Sequence, residues 1–283
     1  MANIPLDIKT KGHIPWSIKR EITTTLGDCY QRFNYDALSK IEVHILDKES
    51  TMRNFLKDEK FRLGITTGED DQFICSYDVW RGYPRITICA AELAKFNKQA
   101  RQGAVRHEAA HTILHGSLGH NIYKLPEDCR QTAMIKSIDL SVLQQALYYL
   151  SVAIKDFEAT RFLIKHDYID CQFAFALERI RNSEEVKPAW ESAKTNRQTK
   201  FIYQTSLMKS VLFAHPLLSL PRSKKISLEN QVYLGRMVEE LVEHLGEPEQ
   251  NKLLQVANMI VDGLTEDTHK NVDFALRQSM SLA

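Results

Sequence analysis

RHEAAHTILHG, residues 106–116, sets three histidines and a glutamate at intervals of a helical turn. Within the longer run NKQARQGAVRHEAAHTILHG (97–116), Val105, Ala109, Ile113 and Leu114 form an apolar stripe, which predicts one helix ended by Gly116. Four residues advance a helix by about 400°, so His107 and His111 stand one above the other. Two imidazoles at that spacing can grip one tetrahedral zinc ion. Glu108, one position round, can reach a water activated by that ion without replacing it. A solvated helix would surround such histidines with lysines and glutamates. Here alanines surround them, which suits the wall of a cleft better than open solvent.

A catalytic zinc normally takes three protein ligands and leaves one position open. A metzincin continuation would need glycine three and histidine six residues after His111, where Leu114 and Ser117 stand. His115 lies about 12 Å from His107 along the axis, too far to share one ion, and is assigned to the surroundings of the ligands. His120, beyond two glycines, can fold back. Downstream, SVLQQALYYLSVAIKDFEATRFLIKHDY (141–168) reads as a long helix, apolar round most of its circumference, that nonetheless carries Asp156 and Glu158. A buried carboxylate is expensive unless it is paired or holds a metal. Glu158 is the favoured third ligand, with Asp156 supporting a ligand histidine or pairing with Arg161. Asp156 and His120 stay open as alternatives, and an internal ion pair with Arg161 or Lys165 is the competing use of both carboxylates. Tyr168 and His166, just beyond this helix, are candidate donors to a developing oxyanion.

HEAAH followed by a glutamate on a second helix resembles the gluzincin branch of the zinc metallopeptidases. The longer string HEAAHTILHG is similar to the active-site helix of the ImmA/IrrE-type cytosolic peptidases. The resemblance covers residues 40–166 and implies a zincin-like core with one Zn2+ per chain. It implies His107, His111 and Glu158 as ligands, Glu108 as general base, and a peptide or protein substrate. PRITICAAEL (84–93) matches the edge strand of those families in kind, so Arg85, Ile86, Thr87 and Ile88 are expected to pair with an extended substrate. Two departures stand out. Gluzincins usually carry aspartate four residues after the ligand glutamate, and Phe162 is there instead; the stretch from His111 to Glu158 is also longer than in compact members.

Outward from this segment, residues 16–38 predict a helix, IEVHIL (41–46) a strand and residues 48–59 a short helix. Strands are expected at 60–66, 72–80 and 84–90, and nothing after residue 91 reads as strand. The class is therefore α+β, a small mixed sheet followed by a helical half. The clustered charge and proline of NSEEVKP place a seam near 186, giving a catalytic domain 1–186 and a helical subdomain 187–283. Lys+Arg of 37 against Asp+Glu of 36 offers no electrostatic case for nucleic acid or an anionic membrane. Trp190 and the basic PRSKK (221–225) read as a solvated loop, and His44, His166, His215, His244 and His269 as structural or surface groups. Five scattered cysteines without CxxC, no apolar leader and no bilayer-length apolar run suggest a cytoplasmic protein. Two rival functions share these residues: a regulatory or binding protein with a structural or single-substrate zinc site, and a zinc hydrolase acting on another bond. Oligomeric state is not legible.

Overall fold

IEVHIL forms the strand expected of it, and its alternation organises the sheet. Ile41, Val43 and Ile45 turn to one side and are fully buried, while Glu42 and His44 turn to the other. The computed structural model describes residues 4–33, 38, 40–65, 74–181, 186–221 and 228–283. In chain order it opens with β1 (Leu6–Lys11), α1 (Trp16–Phe33), β2 (Ile41–Leu46), α2 (Glu49–Leu63), β3 (Cys75–Asp78) and β4 (Arg85–Cys89). Then come α3 (Ala90–Ala94), α4 (Lys98–Leu114), a 3-10 turn at Leu118–Asn121, α5 (Glu127–Ile135), α6 (Leu140–Lys165) and α7 (Ile169–Ile180). The chain continues through α8 (Val186–Ala193), α9 (Arg197–Leu218), α10 (Leu228–Glu243), α11 (Glu247–Asp262) and α12 (Thr268–Ser279). It is α+β, mostly helical, with one four-stranded mixed sheet.

Two compact units divide it. One is Met1–Asn121 with Phe162–Phe175; the other is Ile122–Arg161 with Ala176–Ala283. The units part after residues 121, 161 and 175, not at the 186/187 seam expected, so α6 and α7 each contribute to both.

In the first unit the strand order is β1-β2-β4-β3, with β3 antiparallel to β4 and the other pairs parallel. Parallel neighbours need crossover connections, which α1 and α2 supply. This order corrects the edge-strand expectation. Arg85, Ile86, Thr87 and Ile88 lie in β4, which is buried at every position between β2 and β3. The end positions belong to β1 and β3. Register pairs Tyr77 with Ile86 and Ile86 with Val43, so these share the face packed on α4. Arg85 is on the opposite face, 1% exposed. Its Nε donates to Asp78 Oδ2 (2.9 Å) and its Nη1 to Glu59 Oε2 (2.6 Å). It is a buried structural cation, not a substrate contact.

The strand expected at 60–66 is instead the end of α2. Met52, Leu56 and Glu59 keep the helical stripe going, and Gly64, at φ 66°, caps it through bonds to Lys60 and Phe61. Residues 66–73, part of two expected strands, lie outside the described residues. LDIKTK was not expected as a strand, because its lysines leave too few apolar positions to signal one. α1 ends at Phe33, short of 38; residues 34–37 lie outside the described set.

In the second unit α9 is the spine on which α8, α10 and α11 pack. Phe201, Met208, Leu212, Phe213 and Leu217 of α9 are fully buried. Trp190, expected in a solvated loop, is instead buried in α8 against Tyr203; Arg222–Lys225 of the basic run lie outside the described residues. Among the described residues no helix is long and apolar enough to cross a membrane.

Candidate functional site

α4 carries the HExxH segment, and both its ends are built locally. Asn97 caps the N-terminus by accepting the Ala100 N–H (2.9 Å). At the other end the His115 N–H closes on His111 O, and Gly116 follows without the left-handed conformation expected of a capping glycine. Gly116 is needed for space instead: a Cβ there would meet Thr112 O at 2.1 Å and Pro84 Cγ at 3.0 Å.

The helix is buried on nearly all sides in its second half, well beyond the single apolar stripe expected. On one side Tyr30 of α1 bonds its hydroxyl to Thr112 Oγ1 (2.8 Å), and burial pushes the phenol well above its usual range. On another, α7 crosses at Gly103. A Cβ there would lie 2.1 Å from Cys171 O and 2.7 Å from Phe175 Cβ, and Gln172 Nε2 donates to Gly103 O (2.9 Å). Glycine therefore sets how closely the two helices approach. One turn after Gly103, the Phe175 ring lies 5.7 Å from that of His107.

His107 and His111 stand as expected. Their Nε2 atoms are 3.1 Å apart and their rings nearly perpendicular, at 85°. His111 turns its Nδ1 to His115 Nδ1 at 3.2 Å, within hydrogen-bond reach. Tyr77 of β3 lies flat on the His111 ring, 4.5 Å between centroids and 6° between planes. All three histidines are buried, and so is Glu108. Burial, with the nearby Glu108 charge adding to it, raises the Cys75 thiol well above its usual range.

Other expected members are placed elsewhere. Tyr168 stacks its ring under Arg106 (4.4 Å) and donates its hydroxyl to Asp28 Oδ2 (3.1 Å). His166 packs on Phe33 and Phe162, and burial lowers its pKa. Tyr168 thus closes the α1 side of α4, and His166 belongs to an aromatic cluster. His120 has its Nδ1 on Ser117 Oγ at 3.0 Å and its ring 5.8 Å from that of His115.

In the second unit, α6 presents its two carboxylates to different neighbours, as a separation of about 200° round the helix requires. Glu158 accepts from Thr268 Oγ1 (2.9 Å) and Asn271 Nδ2 (2.8 Å) of α12. Asp156 pairs with Arg179 of α7. Arg161, expected to pair with one of them, reaches Glu266 Oε1 at 3.6 Å. Lys155 is buried too; desolvation lowers it to about 8, opposed by the Asp156 and Glu158 charges.

Tyr77, Phe175, Gly103 and Arg179 were not found by sequence reasoning. Only Tyr77 had a local signal, its place in the alternating QFICSYDVW. No protein-family model matches the chain, and neither curated proteins nor solved structures show significant similarity to it.

Proposed function

We propose that this chain is a zinc-dependent peptidase of the zincin kind, with His107 and His111 as two ligands of one ion, a carboxylate of α6 as the third and Glu108 as general base. The observation that carries the reading is the 3.1 Å between the two Nε2 atoms. A tetrahedral zinc with bonds of about 2.0–2.1 Å would set two ligand nitrogens about 3.3–3.4 Å apart. The observed separation is close to one edge of such a tetrahedron.

Asp156 takes the role first assigned to Glu158. Both Glu158 oxygens are engaged by α12, whereas Asp156 is paired to a residue of α7. Two imidazoles and a carboxylate suit zinc in charge and donor type.

A bound zinc ion would act as a Lewis acid, polarising a carbonyl and acidifying water. Glu108 would then take the proton of the attacking water on a carboxylate oxygen and return it to the leaving amine. His115 would hold His111 with its Nδ1 proton directed away from the ion, leaving Nε2 to ligate. The place proposed for an extended peptide moves from β4 to β3. Cys89 N–H donates to Ile74 O, so the alternation of antiparallel pairs turns the backbone groups of Cys75 and Tyr77 away from β4.

Burial favours one second reading. His107 is 0% and His111 3% exposed, as suits a metal site that serves structure or cleaves one dedicated partner after opening. The test uses purified full-length protein. Wild type should bind about one zinc per chain. Asp156→Asn should lose affinity, Glu158→Gln should keep it, and Glu108→Gln should keep zinc while losing turnover of an unfolded-peptide library. Wild type that binds no zinc overturns the whole reading. Zinc binding with no turnover overturns the general peptidase and leaves the second reading.

A further inference from the structure

We infer that Tyr77 is a positioning residue for His111, fixing the plane of a ligand imidazole through the face of its ring; this rests on the metal reading above. The sheet register delivers it. Tyr77 sits opposite Ile86 on the α4 side of β3, and its phenol covers the His111 ring at 4.5 Å with only 6° between planes.

His111 needs such a restraint. Its Nε2 must point along one line, toward the position shared with His107, and two side-chain torsions separate that atom from the helix backbone. The Nδ1···Nδ1 approach to His115, 3.2 Å, holds one point on the ring edge and still permits rotation about that point. A flat aromatic neighbour removes that rotation, because tilting the imidazole would drive its edge into the phenol face. The restraints are complementary: His115 fixes where the ring edge lies, and Tyr77 fixes the plane. Ligation also draws electron density from the imidazole, which favours an offset stack on an electron-rich phenol. His107 is held differently, by Phe175 at 5.7 Å with 57° between planes, so the parallel stack distinguishes His111 within the pair. No motif carries this role, since Tyr77 lies thirty-four residues before His111 (111 − 77) on another element.

The role depends on the ring and not on the hydroxyl, and that decides the experiment. Zinc affinity is measured by chelator competition, and ligand geometry by the visible d–d spectrum after Co2+ substitution, for wild type, Tyr77→Phe and Tyr77→Leu. Tyr77→Phe should stay within about twofold of wild type, and Tyr77→Leu should lose about tenfold in affinity with an altered Co2+ spectrum. Equal affinity and an unchanged spectrum in Tyr77→Leu overturn the inference. Wild type that binds neither ion removes the metal reading, a distinguishable failure. If Tyr77→Leu does not fold, zinc-loaded wild type decides by NMR. Contacts between the Tyr77 and His111 ring protons that persist on loading support the inference, and their loss overturns it.

Discussion

Two glycine-to-alanine changes should move stability in opposite directions. Gly27 and Gly103 both lie inside helices, and alanine is the better helix former by about 0.8–1.0 kcal/mol. At Gly27, exposed on α1, an added Cβ meets nothing within 4 Å, so Gly27→Ala should stabilise by about 0.5–1 kcal/mol. At Gly103 the same atom would lie 2.1 Å from Cys171 O, 2.9 Å from Cys171 C and 2.7 Å from Phe175 Cβ. Two of these are backbone atoms, which cannot swing aside, so α7 must move away from α4. Overpacking of this kind costs about 1–3 kcal/mol, and the rigid contacts argue for the upper part of that range. After subtracting the helix gain, Gly103→Ala should be destabilised by about 1–2 kcal/mol. Urea melts read the net change, and hydrogen exchange at α4 amides reads it locally. A Gly103→Ala protein as stable as Gly27→Ala would refute the close crossing of α4 and α7, and with it the placement of Phe175 beside His107.

The sheet order makes a second contrast: Ile86→Pro or Ile88→Pro should unfold the first unit, since interior β4 loses a ladder bond and gains a clash. Cys75→Pro, whose N–H turns away from β4, should keep most of the stability yet abolish peptide turnover; thermal melts and a cleavage assay with zinc present would show the reverse if β4 were the edge. Stability should also fall with acid. Burial lowers the pKa of His44, His166, His215 and His244 below their ordinary value of 6.5, so the unfolded chain binds protons that the folded one resists. The sign follows: ν of the unfolded state exceeds that of the native state below about pH 6.5, and ΔG of unfolding drops as pH falls through that point. Urea midpoints that stay level from pH 7.5 to 5.5 in wild type would contradict it.

How much was legible depended on how local the signal was. The HExxH helix needed only its own spacing, and it forms with His107 and His111 on one face. β2 was legible for the same reason. β1 was not, because Lys9 and Lys11 disguise a strand whose place is secured by parallel pairing to residues more than thirty positions away. The 60–66 error came from a β-like composition overruled by continuity: Met52, Leu56 and Glu59 bury one stripe of α2, and Gly64 ends it. β4 was read correctly as a strand and wrongly as an edge. An apolar run such as RITIC cannot reveal whether the four-residue β3 will add outside it.

The proposed third ligand shows the same boundary in sharper form. Asp156 and Glu158 are two residues apart on one helix, so periodicity separates their faces without saying which neighbour each face meets. That neighbour is supplied by distant chain. α12, more than a hundred residues on, brings Thr268 and Asn271 to Glu158, whose charge is thereby solvated by two neutral donors. α7 brings Arg179 to Asp156, whose charge is balanced by a cation. These are different solutions to the same desolvation cost, and they leave the two carboxylates differently suited to an ion. A carboxylate held by a hydroxyl and an amide gives up neutral hydrogen bonds to rearrange. One paired to a guanidinium can keep that partner through its second oxygen while the first ligates, the arrangement expected of a ligand with outer support. On that reasoning Arg179→Met should weaken zinc binding while leaving His107 and His111 in place. Asn271→Ala should instead lower stability through Glu158, with zinc affinity unchanged. A zinc affinity that follows Asn271 and ignores Arg179, measured by chelator competition, would return the ligand role to Glu158.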